Sequence, residues 1–278
     1  MRNSEERFGS NPNLHEAISP QPNQESLNFI VPTEFVDLPS KGKFYPINHP
    51  LKDKDTIEIK QMTAKEEDIL NSRSLLKKGV ALDKLIQSLI VDKSINSDTL
   101  TIEDRNAILV SARVSAYGPE YLTEATCPSC GQKSKQKFNI IEGAIVKESE
   151  LATEPDSNGL FSLVLPSTKW NVVCRTLNGG DEKTLLKIAE NKKKNESQND
   201  SLLLDQLKLC VVSIQGVTSK EMIQKAIDSM PARDSKFLRD TYQKAVPGIK
   251  IVQPFSCKSC DYEADMEVPL STDFFWFK

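Results

Sequence analysis

Two short stretches decide how this chain is expected to fold: Cys127-Pro128-Ser129-Cys130 and Cys257-Lys258-Ser259-Cys260. Each pair of cysteines closes a similar stretch of sequence, which indicates one unit written twice. Paired thiolates two residues apart on a tight turn supply two of the four ligands of a tetrahedral zinc site. A duplicated unit that carries half a site in each copy completes the site only when the two copies dock.

Composition limits the classes of protein to consider. The net charge of −3 over 278 residues gives no overall attraction to nucleic acid or anionic membranes. No apolar run approaches the ~18 residues of a membrane-spanning helix, and the N-terminus lacks the apolar stretch of a signal peptide. We therefore expect a cytosolic protein with reduced cysteines. The two histidines, His15 and His49, are too few for most acid–base arrangements.

The predicted elements occur twice in the same order. The turn Leu38-Pro39-Ser40-Lys41 is matched by Leu165-Pro166-Ser167-Thr168. The strand-like stretch Ile57-Glu58-Ile59-Lys60 is matched by Val172-Val173-Cys174-Arg175. Each strand leads into an acidic helix start. These starts are Thr63-Ala64-Lys65-Glu66, a capping box, and Asn178-Gly179-Gly180-Asp181.

Two further helices are predicted in each copy. Apolar residues at helical spacing mark a buried face in the first helix of each pair; they are Leu82, Leu85, Ile86, Leu89 and Ile90, and then Leu203, Leu207, Cys210, Val211 and Ile214. The next helix is predicted over Ile102–Tyr117, ended by Gly118, and over Arg233–Val246, ended by Pro247-Gly248. A capping box at Thr218–Glu221 predicts an extra helix in the second copy. The hydrophilic stretch at 191–200 predicts a surface loop.

These matches predict an α+β fold made of two tandem, internally duplicated strand–helices–zinc-knuckle units that share a zinc-ribbon-like end. Residues 1–32 are predicted to be a disordered N-terminal tail because they are polar and lack periodicity. Residues 33–145 form the first repeat with the first knuckle. Residues 146–278 form the second repeat with the second knuckle and an aromatic C-terminus.

The four paired cysteines are the predicted metal ligands. Cys127, Cys130, Cys257 and Cys260 are expected to bind one structural Zn²⁺ per chain. A thiol–disulfide redox motif and unmetallated structural cysteines are the alternatives. Cys174 and Cys210 lie on apolar patterns and are predicted to be core residues.

Charged strands follow the two knuckles. Lys133, Lys135 and Lys137 stand at the same offsets from their cysteines as a set of acids does from the second pair. Those acids are Glu263, Asp265 and Glu267. The two strands are interpreted either as opposite charges that face each other or as two solvated strand faces.

No arrangement in the chain predicts catalysis. Asn178-Gly179-Gly180 is a turn and not a phosphate-binding loop, and Ser40-Lys41-Gly42-Lys43 lacks the first glycine of a P-loop. The chain is therefore predicted not to be an enzyme. The aromatic residues at the C-terminus are predicted to bind a partner, with covering of the chain's own core as the alternative. They are Phe274, Phe275, Trp276 and Phe277.

Several of these residues resemble a known family. Three stretches are similar to baseplate proteins of T4-like contractile-tailed phages. They are Leu38–Pro46, the helix start Thr63–Leu70, and Asp104-Arg105 ahead of the first knuckle. The resemblance extends over about residues 33 to 270 and implies a role in assembly of the central baseplate hub. It further implies other tail proteins as partners, no small-molecule substrate, and a location in the host cytoplasm during assembly or in the virion tail. The zinc site rests on the spacing in this chain, because family members vary in these cysteines.

The second interpretation is a cytosolic zinc-ribbon adaptor that binds nucleic acid or a nucleoprotein machine. The basic strand at Lys133–Lys137 favours it, but that strand has no interleaved aromatic residues to stack on bases. Nucleic acid is therefore the less expected partner. A redox or hydrolytic enzyme is a distant third interpretation.

Overall fold

The fold alternates short antiparallel strands with helices, as the sequence predicts. A computed structural model describes residues 31–194, 202–268 and 272–275. Most of the predicted tail, at residues 1–30, lies outside the described residues. No helix in the described ranges is long and apolar enough to cross a membrane.

Between residues 31 and 147 the structure describes five strands and five α-helices. In chain order they are β1 (Thr33–Asp37), β2 (Thr56–Lys60), α1 (Ala64–Asn71), α2 (Arg73–Lys77), α3 (Ala81–Leu89), α4 (Ile102–Tyr117), β3 (Glu120–Thr126), β4 (Lys133–Asn139), α5 (Ile140–Gly143) and β5 (Ala144–Lys147). A 3₁₀ turn at Ser97–Thr99 precedes α4.

The second part also combines short strands with helices. Its elements are β6 (Phe161–Val164), β7 (Asn171–Cys174), α6 (Gly179–Lys194), α7 (Leu202–Cys210), β8 (Val211–Ile214), α8 (Lys220–Asp228), α9 (Ala232–Ala245), β9 (Gly248–Ser256) and β10 (Glu263–Glu267). A 3₁₀ turn at Thr272–Phe275 is the last described element.

The described strands form four small antiparallel sheets. Their orders are β1-β2, β3-β4, β6-β7-β8 and β10-β9-β5. Strand β5 comes from the first predicted repeat, yet it pairs with β9, where Ala144 lies opposite Ile251. The two predicted repeats are therefore joined by one sheet as well as by the cysteines.

Local sequence explains the helix boundaries. The Thr63 N–H donates to the Glu66 carboxylate at 3.0 Å, which closes the predicted capping box of α1. At the start of α6, the Asn178 N–H donates to Asp181 and the Asp181 N–H donates back to Asn178, both at 3.0 Å. Helix α4 ends where predicted, because Gly118 has a φ of +78° that only glycine adopts without strain.

Three helix expectations differ from the structure. Val211 and Ile214 were expected on the helix that carries Leu207, but α7 ends at Cys210 and the β-branched residues that follow form strand β8. Helix α6 continues through Lys194, into the stretch that was expected to be a loop. Lysine and glutamate are good helix formers, and Lys192 is tied to Asp205 of α7 at 2.6 Å. Helix α8 begins after Ser219 rather than Thr218, with no side-chain cap bond. Residues 195–201 lie outside the described ranges.

Two large hydrophobic clusters fill the interior. One packs α3 and α4 against β1 and β2, and the other packs α7, α8 and α9 against β6, β7 and β8. Each cluster also takes residues from the other part of the chain. Ile251 and Val268 join the first cluster, and Phe44 joins the second. Cys174 and Cys210 are buried in the second cluster, as predicted.

The C-terminal aromatics need a correction. Phe274 and Phe275 are each 1% exposed and belong to the first cluster, so these two side chains cover the chain's own core. Their segment is fastened by Arg113, whose Nε donates to the Phe274 carbonyl at 3.0 Å. Burial of both rings stabilises the fold. The two side chains are therefore not free to bind a partner. Trp276 and Phe277 lie outside the described residues.

Candidate metal centre

Two β-hairpins carry the cysteine pairs. The turn with Cys127 and Cys130 joins β3 to β4, and the turn with Cys257 and Cys260 joins β9 to β10. Both hairpins have the same register. The residue before the first cysteine lies opposite the third residue after the second cysteine; these pairs are Thr126 with Lys133, and Ser256 with Glu263.

The two turns also share their backbone conformation. The Cys127 N–H donates to the carbonyl of Gln132, and the Cys257 N–H donates to that of Tyr262, both at 2.9 Å. The residue after the second cysteine is left-handed in each turn. Gly131 has a φ of +72° and Asp261 a φ of +53°; glycine and aspartate are among the residues that tolerate this region. Each turn therefore presents its two sulfurs in the same way.

The hairpins bring all four sulfurs together. The ligand atoms of Cys127, Cys130, Cys257 and Cys260 all lie within 4.8 Å of one another. The Sγ atoms of Cys127 and Cys260 are 3.7 Å apart, and so are those of Cys130 and Cys257. This spacing matches four ligands of one tetrahedral ion, because Zn–S bonds of ~2.3 Å place sulfurs ~3.8 Å apart. The cluster can hold a metal ion.

Burial follows the same pattern in both pairs. Cys127 and Cys257 are buried, whereas Cys130 and Cys260 are exposed. The buried sulfurs rest on Ala125 and Phe255, which precede them by two residues on β3 and β9. Each first cysteine thus anchors its turn in a small apolar cluster, and each second cysteine faces outward.

The thiols of the cluster differ in acidity. The backbone N–H of Ser259 donates to Cys257 Sγ at 3.4 Å, and such donors lower the pKa of Cys257 to about 7. At Cys130 the backbone N–H of Gln132 favours the thiolate, but hydrogen bonds with the other thiols, Cys260 first, raise its pKa to about 12. A metal ion binds the deprotonated thiolates, so metal binding at such a site releases the thiol protons.

The charged strands do not pair with each other. Lys137 forms an ion pair with Glu120 of its own hairpin at 2.5 Å, and Lys250 lies 3.7 Å from Glu267 within the other hairpin. Lys135 lies opposite Glu124 in the β3–β4 register. The structure therefore agrees with two solvated faces and not with opposite charges that meet.

Two carboxylates were missed as organising residues. Asp104 of α4 accepts hydrogen bonds from Ser40 N at 3.0 Å and Ser40 Oγ at 2.6 Å. Asp234 of α9 accepts from Ser167 N at 2.7 Å and from Thr168 N at 2.9 Å. Each is the third residue of its helix and holds a Leu-Pro-Ser turn. Their separation of 130 residues equals that of the cysteine pairs, which is the sequence signal that was available.

A basic–acidic ion pair occurs at the start of a helix in each part of the chain. Lys60, at the end of β2, contacts Glu66 at 2.7 Å. Arg175, just after β7, contacts Asp181 at 2.6 Å. Both members of each pair are separated from their counterparts by 115 residues, the offset of the two predicted strands. A basic residue therefore neutralises the acid of each helix start.

Comparison with known proteins finds a family match for the first part of the chain. Residues 31–161 match the family of the T4 bacteriophage base plate protein. Over this segment, which is just under half of the chain, the sequence is similar to that family. The T4-like baseplate segment contains the first Leu-Pro-Ser turn, the α1 start and the first knuckle, so the resemblance predicted from those residues is confirmed. No curated protein and no solved structure matches the chain.

Proposed function

We propose that this protein is a non-enzymatic structural or assembly component of the hub region of a contractile phage tail baseplate, stabilised by one structural zinc ion. The family match over residues 31–161 carries the proposal, since it supports a structural baseplate component. Such a component acts by binding other tail proteins, first in the host cytoplasm and then in the tail.

The zinc assignment is supported by the donor set. Four thiolates select soft or borderline metals, and a closed set of four leaves no open position for a substrate or water. A site of this kind stabilises a fold and does not catalyse a reaction. The ion would tie β3–β4 to β9–β10 and thereby hold the two predicted repeats at one end.

Internal duplication is part of the same proposal. Three matched features support it. They are the two hairpins, the two Leu-Pro-Ser turns held by Asp104 and Asp234, and the two basic–acidic pairs. Because the cores exchange Phe44 and Ile251, we propose repeats that are interlocked and do not fold separately. The nucleic-acid adaptor is not proposed, since Glu120 and Glu124 lie among the lysines of β4.

Metal analysis tests the zinc assignment. The wild-type protein, purified with a reductant, should carry about one zinc per chain. Cys127→Ser should lose the metal, because three thiolates do not close the tetrahedron, whereas Cys174→Ser should keep it. Equal zinc content in the two variants, or none in the wild type, would reject the site.

A complementation experiment tests the baseplate role independently of zinc. A phage that lacks this gene is supplied with the wild-type protein or with an empty vector, and particles are counted and imaged. We expect the empty vector to yield baseplates without their central part. Normal infectious particles without the protein would reject the hub role, whatever the metal content.

A further inference from the structure

A cleft of about 980 Å³ lies beside strand β1, and none of the four cysteines lines it. Its floor is a stripe on α4, where steps of three and four residues place side chains on one helix face. The stripe consists of Ala107, Val110, Ser111 and Val114. The far wall contains Ile141 of α5, Val146 of β5 and Ile249 of β9. The cleft is as large as the bigger ligand sites of proteins, which reach ~1,000 Å³.

The near wall is the free edge of β1. All residues from Glu34 to Leu38 line the cleft, although alternate side chains of a strand point to opposite faces. No residue of β2 lines it, and in the described part of the chain β1 pairs with β2 alone. The cleft therefore runs along the unpaired edge, where backbone N–H and C=O groups are available to another strand.

Exposed apolar side chains surround this edge. Phe35 is 70% exposed, Ile141 59% and Val146 61%. A single exposed apolar residue is ordinary, but three around one cleft mark a surface that binds another molecule.

The charges around the cleft are mainly acidic. Its two lysines are already used, since Lys41 pairs with Glu148 at 2.8 Å and Lys43 pairs with Glu154. Three further acids line the cleft and have no ion-pair partner among the described residues, although the first of them accepts hydrogen bonds from Ser111 and Ser115. They are Glu34, Asp37 and Asp55. An incoming segment with lysine or arginine would supply the missing positive charge.

We propose that this cleft binds an extended segment of a partner protein, apolar at alternate positions and basic between them, by strand addition to β1. Main-chain hydrogen bonds to the edge supply affinity, and pockets for alternate side chains supply specificity. The apolar side chains would lie on Val114 and Val146, and the basic ones near Asp37. Because β5 and α5 close the far side, the cleft admits one strand more readily than the sheet edge of a second copy.

Selection from a random peptide library tests the proposal and does not require the partner to be identified. Peptides of about 12 residues cover the ~17 Å length of β1 with several registers. The wild-type protein is used as bait, and selected peptides are measured against Val146→Asp and Ile145→Asp. Ile145 is the matched control, because it is 53% exposed on the same strand but does not line the cleft.

We expect the selected peptides to alternate apolar and basic residues. Val146→Asp should weaken their binding by about tenfold or more, and Ile145→Asp should leave it within about twofold. Circular dichroism and thermal melting check both variants, and Ile141→Asp on the same wall replaces Val146→Asp if that variant does not fold. Selection without an alternating pattern, or equal losses in both variants, would overturn the proposal. A wild-type dimer that Val146→Asp dissociates would instead make a second copy the occupant.

Discussion

Asp104 and Asp234 hold the two Leu-Pro-Ser turns of this chain in the same way, 130 residues apart. Each carboxylate, in the first turn of a helix, accepts from at least one backbone N–H and from one hydroxyl of its turn. Their surroundings differ in one respect. Asp104 also accepts from the Tyr45 hydroxyl at 2.7 Å, whereas Asp234 accepts from a second backbone N–H; both residues are buried.

This difference predicts opposite pKa shifts for the two carboxyls. Burial raises the pKa of Asp104 above its usual 3.8, and its hydrogen bonds only partly offset this. At Asp234, burial also raises the pKa, but the hydrogen bonds from Ser167 and Thr168 outweigh it and lower the pKa to about 2. Carbon-13 titration of the aspartate carboxyls, assigned with Asp→Asn variants, should give midpoints on opposite sides of 3.8. Equal midpoints would contradict the prediction.

The consequence for stability follows from which state binds more protons. The lowered pKa of Asp234 means that its contribution is present above pH 3.8 and is lost as the pH falls towards about 2. The raised pKa of Asp104 has the reverse effect, since its contribution is present below 3.8 and is lost as the pH rises through the folded-state value. Asp234→Asn should therefore differ most from the wild type near neutral pH, and Asp104→Asn most at acidic pH. Urea unfolding at several pH values measures both differences.

Much of the architecture could be predicted because it depends on neighbours in sequence. The capping box at Thr63, the end of α4 at Gly118 and the spacing of the cysteines are local signals, and the structure agrees with each of them. Local patterns determine the type and order of the elements, which is why these could be predicted without a structure.

The remaining features depend on contacts that local patterns do not contain. An acid in the first turn of a helix is usually explained by the helix dipole, and the spacing of Asp104 from Asp234 does not by itself say that Asp104 binds a turn 64 residues earlier. The pairing of β5 with β9 joins residues more than 100 positions apart. The burial of Phe274 depends on where Arg113 fastens its segment.

Removal of the metal should loosen one end of the molecule only. The ion would join β3–β4 to β9–β10, whereas β6-β7-β8 packs in a separate hydrophobic cluster. We expect a chelator to lower the melting temperature and to speed amide hydrogen exchange in the two hairpins. Exchange in β7 serves as the internal control and should change little. Uniform acceleration throughout the chain would show that the metal supports the whole fold.

Gly179 is predicted to be intolerant of a side chain. A Cβ atom there would lie 2.4 Å from Nη1 of Arg105, which is buried, donates to the Ser97 carbonyl at 2.9 Å and pairs with Asp83 at 2.5 Å. Gly179→Ala should destabilise the protein by about 1–3 kcal/mol, because Arg105 cannot move without leaving buried partners unsatisfied. Denaturant unfolding measures the change.

Gly180→Ala is the matched control for Gly179. Its Cβ would lie 3.2 Å from the Asn178 side chain and in ordinary contact with the Asp98 carbonyl at 3.7 Å, and alanine favours the helix over glycine by ~0.5–1 kcal/mol. We expect a change near zero or a slight stabilisation. If both variants lose the same stability, the cause is the helix start itself and not the contact with Arg105.

The described aromatic residues at the C-terminal end are predicted to stabilise the fold. Phe274 is buried against Tyr121, with ring centroids 5.2 Å apart, and its carbonyl is held by Arg113. Phe274→Ala should therefore cost about 3–5 kcal/mol, as buried Phe→Ala changes do. Phe35→Ala removes a ring that is 70% exposed and should change stability by less than about 0.5 kcal/mol.

A second pair of variants separates the aromatic packing from the fastening by Arg113. The guanidinium also donates to the carbonyls of Gly118 at 2.8 Å and Glu120 at 2.9 Å, so one side chain joins the end of α4, the start of β3 and the C-terminal turn. Arg113→Lys keeps the charge but cannot reach three carbonyls in a fixed plane, and we expect it to destabilise the protein nearly as much as Arg113→Met. Thermal melting compares the two. If Arg113→Lys retains wild-type stability, charge alone holds the segment; if Phe274→Ala is as mild as Phe35→Ala, the ring is not a core residue and an exposed anchor is restored.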